Sequence, residues 1–538
     1  MVQFLEMSPE IHHLVFAHLL TQRDTLHLIL TCQFLSSIGL PYLVSNFTIL
    51  LNCDDGTHVA NMCRYLLSRK DSMSNGETNI RFRLEDLKSL QITSHPADHI
   101  DLDDDPEEVE DDYDDNNDDH DNRSDHDNTE GNTDLLTPDS KDQSSVELIL
   151  QLLLHSVTKL RLKQLTIDER ILSLDSRFIE YIGSLSALCS LSITSMDELE
   201  DVFTYTLLDQ LQTSNLKRLY INTVFGDISL FSLLHSLSNH THSLEVLEVP
   251  CFHCQNPPTD STHGCNSIDL VFPQLHTLFL CFVDFSQLLE IQSFQRIFPN
   301  LKIFKFRILY YLRGLPGDEI LSFADSIRAQ NLASFREHAS WKLEKVEGDC
   351  LSLYASGIGC GGEKQVVYVR IHQEIGYGVT WPDPRKRTQR EMKSHEIWST
   401  VLHDTVPECL DIENDIVTYE GFIDRLGSLL VDSQAVKENG YHGVRRLVMR
   451  LNPKPRTVQT MTKDEVKNLI IDIEPCIQQA FSRVDSLKSL HIIVDPRLES
   501  DRFRYIHYSY HDMPILQKVL RGIPSLERIS LSSSSLVA

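Results

Sequence analysis

"LKRLYI", residues 216–221, has close copies on both sides. "VTKLRL" (157–162) and "LCSLSI" (188–193) precede it, and "LEVLEV" (244–249), "LHTLFL" (275–280) and "LKIFKF" (301–306) follow. Each copy reads apolar-x-x-apolar-x-apolar, and that alternation predicts a short strand with one buried face. The middle apolar residues are Leu160, Leu191, Leu219, Leu247, Leu278 and Phe304, at steps of 31, 28, 28, 31 and 26 residues. Outlying copies are "LKSLQI" (87–92), "VRRLVM" (444–449), "LKSLHI" (487–492) and "LERISL" (526–531). Helical stretches separate the strands: "FTYTLLDQLQ" (203–212), "ISLFSLLHSLSN" (228–239) and "SQLLEIQSFQRIF" (286–298). One strand and one helix cannot bury their apolar faces alone, whereas stacked neighbours can. The expected fold class is therefore α/β, an irregular solenoid with a curved parallel sheet and outer helices.

The N-terminus reads differently. In "MSPEIHHLVFAHLL" (7–20), Pro9 suits the first turn of a helix, where its missing N–H would be unpaired anyway. Ile11, Leu14, Val15 and Leu19 recur at helical spacing, and Phe16 and Leu20 widen the stripe. His12 and His13 are expected on the exposed side. "LHLILTCQFLSSIG" (26–39) reads as another helix, and "LPYLVSNFTIL" (40–50) returns toward extended structure. So small a unit cannot bury this much apolar surface by itself, since domains below about 40 to 60 residues are marginal. The surface must face the rest of the chain or another protein.

Residues 7–49 resemble an F-box, a three-helix motif. Pro9, Glu10, Ile11, Val15, Phe16, Leu19, Asp24, Leu26, Cys32, Leu40 and Pro41 match the family pattern in order. The chain departs from it at Met7-Ser8, where Leu-Pro is usual, and at Leu35, where an aromatic is common. The resemblance implies that the helices pack against a Skp-family adaptor, which joins them to a cullin ubiquitin ligase. It assigns that contact to Met7, Pro9, Ile11, Val15, Phe16, Leu19, Leu26, Cys32 and Leu35. The other reading of the segment is a helical cap closing the array behind it. The repeats in turn resemble leucine-rich repeats, at the long end of that period, and most of all the irregular arrays that follow F-boxes in fungal proteins. The family's Asn or Cys ladder position is met by Asn222 and Cys281 but not by neighbouring copies.

The chain has 538 residues and a formal net charge of −29. Residues 101–142 alone hold 20 acidic residues against Arg123 and Lys141, so −11 remains for the rest. That tract cannot bury apolar surface and is expected to be a disordered acidic insertion in one repeat loop. The remainder is mildly acidic, which disfavours non-specific nucleic-acid binding. No run approaches the roughly 20 apolar residues of a membrane span, and the N-terminus lacks a secretory pattern. Twelve scattered cysteines fit free thiols in the cytoplasm or nucleus.

After Phe304 the period is lost for most of the region up to Val444. "WKLEKVEGDCLSLYASGIGCGGEKQVVYVRIHQEIGYGVTW" (341–381) reads as short strands and glycine turns. "GIGCGG" (357–362) has dinucleotide-loop spacing, but a strand follows where that loop requires a helix, so a glycine-rich hairpin turn is expected. Cys251, Cys254, His263 and Cys265 offer zinc-ligand types, although free thiols in a long loop suit their spacing better. "DPRKRTQREMK" (383–393) reads as a solvated basic loop.

The expected organisation is an F-box (1–50), the start of the repeats (51–100), the acidic insertion (101–142) and regular repeats (143–310). Irregular repeats or an inserted β-rich segment (311–440), C-terminal repeats (441–532) and a tail (533–538) follow. Catalytic motifs are absent, and neither cofactor nor metal is expected. The expected function is that of a non-catalytic subunit of a Skp–cullin–F-box ubiquitin ligase, its repeats holding an unknown protein substrate. The rivals are a repeat scaffold without a ligase link and an enzyme within 310–440.

Overall fold

The computed structural model describes residues 11–12, 15, 46–51, 63–64, 67, 69–70, 81–82, 87–94, 140–159, 162–195, 202–213, 215–223, 230–252, 270–282, 291–308, 317–335, 342–359, 366–372, 396–414, 419–435, 443–451, 463–494, 503–508 and 514–536. The chain divides into two compact units, Met1–Met196 with Thr206–Thr213, and Asp197–Tyr205 with Ser214–Ala538.

In the first unit, strands β1 (Asn46–Leu51), β4 (Ser89–Ser94), β5 (Gln164–Asp168) and β6 (Ser190–Ser195) pair in parallel in that order. A small antiparallel pair joins β2 (Arg69–Lys70) to β3 (Arg81–Phe82). Leu90, Leu165 and Leu191 stand in one register row and Ile92, Ile167 and Ile193 in the next, all buried. In the stretch "VTKLRL", expected to be a strand, residues 157–159 are helical. Residues Ser140–Lys159 are a helix, and the strand comes a few residues later, in "LKQLTI" (162–167). The same apolar pattern occurs twice in succession there, and the helix buries Ile149, Leu150, Leu152 and Leu153. With Leu165 as the true middle residue, the first step becomes 26 residues. Asp168 ends its strand and caps the helix Glu169–Leu174 by accepting the Arg170 N–H at 3.0 Å.

The second unit continues the same grammar. Its strands are β7 (Arg218–Thr223), β8 (Val246–Phe252), β9 (Thr277–Phe282), β10 (Ile303–Ile308), β11 (Lys345–Asp349), β12 (Tyr368–His372), β13 (Cys409–Asn414), β14 (Arg446–Leu451), β15 (Ser489–Val494), β16 (Phe503–Tyr508) and β17 (Arg528–Leu536). They pair in sequence up to β15, which is followed by β17 and then β16. All pairs are parallel except β16 with β17. The region where the period fails is thus made of repeats of unequal length, with β11, β12 and β13 in the same sheet. Most neighbouring strands lock in one way, with two N–H groups at a strand start sharing one carbonyl from the start of the strand before. Glu245 and Val246 use Lys217, Glu344 and Lys345 use Lys302, and Glu527 and Arg528 use Lys488, at 2.8–3.0 Å.

The sequence signal for the irregular strands was present but eroded. "LEKVEG" (343–348) has Gly348 where the third apolar residue belongs, and "PECLDI" (407–412) opens on Pro407. Gly348 is required there, because a Cβ would lie 2.7 Å from the Phe306 carbonyl oxygen on the neighbouring strand. Within 341–381, read as short strands and glycine turns, "CLSLYAS" (350–356) is a helix capped by Asp349, which accepts the Ser352 N–H at 2.8 Å. Nor do β11 and β12, on either side of "GIGCGG", form a hairpin. Gly357, at φ +60°, closes that helix in the left-handed conformation, and the following strand β12 runs parallel to β11.

Contacts between repeats also come from residues just before the strands. Asn300 donates to the Pro273 carbonyl at 2.9 Å, and Ser525 donates to that of Val484 at 2.7 Å. Phe272, Phe294, Phe298, Phe304 and Phe306 fill the core around β10, with ring centroids 4.7–6.0 Å apart. Behind β11, Arg328 of helix Gly317–Phe335 joins Asp404 of helix 396–405 at 2.6 Å. It also donates to the Tyr354 carbonyl at 2.8 Å and lies over the Tyr354 ring.

Candidate binding surface

The parallel register sorts the side chains of the second unit by face, because successive residues of a strand point to opposite sides. One side holds the rows Leu219-Leu247-Leu278-Phe304-Val346-Val369-Leu410-Leu447-Leu490-Ile529 and, from β8 on, Val249 to Leu531, and it is the buried core wherever a side chain exists. The other side carries two rows of mixed chemistry. The first runs Arg218, Val246, Thr277, Ile303, Lys345, Tyr368, Cys409, Arg446, Ser489, Arg528. The second runs Tyr220, Glu248, Phe279, Lys305, Glu347, Arg370, Asp411, Val448, His491, Ser530.

At β11–β14 this face holds a charge network. His372 sits between two carboxylates, its Nε2 2.9 Å from Glu347 and its Nδ1 2.9 Å from Glu413. Both ring nitrogens therefore face a carboxylate oxygen. Lys345 Nζ lies 3.0 Å from Glu347, and Arg370 reaches Glu347 at 3.6 Å and Glu413 at 3.4 Å. On the next strand, Asp411 accepts from Arg450 through both of its oxygens, at 2.9 and 3.1 Å, and from the Tyr368 hydroxyl. Burial of Glu347 favours its neutral form, but the His372 hydrogen bond and the Lys345 and Arg370 charges together outweigh burial and hold the carboxyl well below its usual range. Burial, with the adjacent Asp411 charge, pushes the Tyr368 phenol far up. Cys409 is pushed up to about 11, chiefly by burial, so it stays a thiol at neutral pH.

The sign of the Glu347 shift sets a pH window. An unfolded chain would protonate this carboxyl near its ordinary value of 4.5, whereas the folded one resists. Stability from Glu347 is complete above that value and is lost as pH falls below it. Glu347→Gln should therefore be less stable than the parent at pH 7, with the gap narrowing as pH is lowered from about 5 to 3. Urea denaturation across that range measures it, and a gap constant with pH would refute the assignment.

Of the adaptor contacts expected from the sequence, Ile11 and Val15 are described, both helical. Ile11 is 43% exposed, a large apolar residue in contact with solvent, and Val15 is half-buried. Met7, Pro9, Phe16, Leu19, Leu26, Cys32 and Leu35 lie outside the described residues, as do the acidic residues 101–139, Cys254, His263, Cys265 and the basic loop 383–393. One expectation is corrected: His12 is fully buried rather than exposed. The helix has turned the isoleucine outward and the histidine inward. Among the described residues, no group of three or more His, Cys, Asp or Glu side chains is arranged to hold a metal ion, and no helix is long and apolar enough to cross a membrane.

The charge network was not readable from the sequence. "VVYVRIH" marks Arg370 and His372 as sharing one face of a strand, but Glu347 and Glu413 come 25 residues before and 41 residues after His372 and meet it only through the register of three strands. No family model matches the chain. No curated protein matches it either. Among solved structures, it is similar to a chain in the crystal structure of the Rad7 and Elc1 complex in yeast, with a TM-score of 0.32 and 11% identity, over 66% of this chain and 76% of that one.

Proposed function

We propose that this protein is the substrate-recognition subunit of a Skp–cullin–F-box ubiquitin ligase, binding the Skp-family adaptor through residues 1–50 and a protein substrate through its repeats. The observation that carries the reading is the ordered match of Pro9, Glu10, Ile11, Val15, Phe16, Leu19, Asp24, Leu26, Cys32, Leu40 and Pro41 to the F-box pattern. Exposure of Ile11, one of the contacts that pattern assigns, supports it, since an apolar side chain left in solvent is available to a partner. The mechanism is proximity: a substrate held on the repeats has its effective concentration raised near the ligase's catalytic subunit. The protein itself contributes no bond-making step.

Co-expression of the full chain with the Skp-family adaptor, followed by size-exclusion chromatography, tests this. A stoichiometric complex is expected, and Ile11→Asp with Val15→Asp should abolish it, because each substitution would bury an unpaired charge at the interface. A complex that survives the double substitution would count against docking through these contacts, and no complex from a well-folded parent would favour the second reading, a repeat scaffold without a ligase link. In that case the N-terminal helices serve only to cap the array.

A further inference from the structure

The mixed face of the second unit has an uneven distribution of charge with depth. Its carboxylates at β11–β13 are turned inward and used up: Glu347 is 7% exposed and paired with His372 and Lys345, and Asp411 is fully buried beneath Arg450 and Tyr368. Five of its cations remain within reach of solvent, whereas Arg370 and Arg450 are held against the carboxylates. Arg218 and Arg528 are exposed and make no ion pair among the described residues, while Arg446 is 55% exposed and only 3.8 Å from Glu408. Lys345 and Lys305 keep more than a quarter of their side chains in solvent. The row from Arg218 to Arg528 has four cations and no carboxylate. Half-buried Val246, Ile303, Phe279 and Val448 lie on the same face between these charges.

We infer that this sheet face docks an acidic, extended segment of a partner protein, with Arg446 and Arg528 as its outermost charge contacts. The inference rests on the recognition reading above and names the class of substrate. A basic face is no by-product of composition in a chain of net charge −29. Buried carboxylates fix the inner cations in place, so fewer side chains need ordering when the partner arrives. The interleaved apolar residues suit a peptide's alternating side chains. The chain's overall negative charge repels a long nucleic-acid polyanion more strongly than a short acidic peptide.

The test is fluorescence anisotropy with a fluorescein-labelled peptide of Glu, Asp, Ser and Val, and with its Lys-for-acid counterpart. It is run on the full chain, and on a full chain whose Asp and Glu between 101 and 139 are Ser, so that the chain's own acidic stretch cannot mask binding. The acidic peptide should bind, the basic one should not, and rising salt should weaken binding. Arg446→Glu with Arg528→Glu should weaken binding roughly tenfold or more, while Arg446→Lys with Arg528→Lys retains most of it. Both residues lie at the surface, and unchanged circular dichroism confirms the fold. Failure of both chains to bind, or binding indifferent to the Glu substitutions, overturns the inference. So does tighter binding of a labelled DNA oligonucleotide than of the peptide. Adaptor co-purification is scored separately: a retained adaptor with no peptide binding overturns this inference alone, and peptide binding without the adaptor overturns the ligase reading alone.

Discussion

Phe298→Ala should destabilise the second unit by about 3–5 kcal/mol. Phe298 is fully buried, its ring centroid 5.8 Å from that of Phe272 and 6.0 Å from that of Phe294. Phe294 in turn packs on Phe304, which stacks on Phe306 at 4.7 Å, so the Phe298 ring links Phe272 to a chain of aromatic contacts. The local backbone is pinned as well. The Phe298 N–H donates to Phe294, and its carbonyl accepts from Leu301, the residue that leads into β10. With the backbone held, the site has little freedom to collapse around the void, which places the cost toward the upper part of the range for large-to-small core changes. Tryptophans 341, 381 and 398 all belong to this unit, so tryptophan fluorescence during urea denaturation reports on it directly. A loss below about 1 kcal/mol would mean that the cluster repacks freely and is not the core described here.

Asp411→Ala should cost a similar amount, about 3–5 kcal/mol, for a different reason. Arg450 is 11% exposed and donates to both oxygens of Asp411, while the Tyr368 hydroxyl donates to the same carboxylate. Removing the carboxylate takes from a largely buried guanidinium and a half-buried phenol the acceptor they share, so part of the desolvation spent on both is no longer offset. Replacing the pair together, Asp411→Leu with Arg450→Met, should recover most of the loss, because no charge is then stranded. Lys488 and Glu527 provide the contrast, at 3.3 Å and well exposed, where breaking the pair should cost at most about 1 kcal/mol. Equal effects at the two places, read by the same fluorescence titration, would show that the Asp411 network is solvated.

The regular strands could be read directly, because alternation over six residues is a local property. "LKRLYI" and its cousins became β7 to β10, β14, β15 and β17, and the intervening helices formed where apolar residues recurred at helical spacing. Locality was also the limit. "VTKLRL" and "LKQLTI" carry the same apolar signal, and the choice between them fell to the helix Ser140–Lys159, which needs its own buried face. At Gly348 and Pro407 the pattern lost a side chain or gained a turn residue, so strands that complete the sheet looked irregular. His12 shows the same dependence: which side of a helix is buried is decided by what packs against it, and helical spacing alone does not say.

The amino-acid sequence by itself determined the strand-and-helix alternation, the apolar row that makes the core, and the F-box likeness at the N-terminus, since each is written in spacing along the chain. Tertiary structure alone decided which charged residues meet. Glu347, His372 and Glu413 become neighbours because parallel strands in fixed register stand about 5 Å apart, a distance in space that bears no relation to the 25 and 41 residues separating them along the chain.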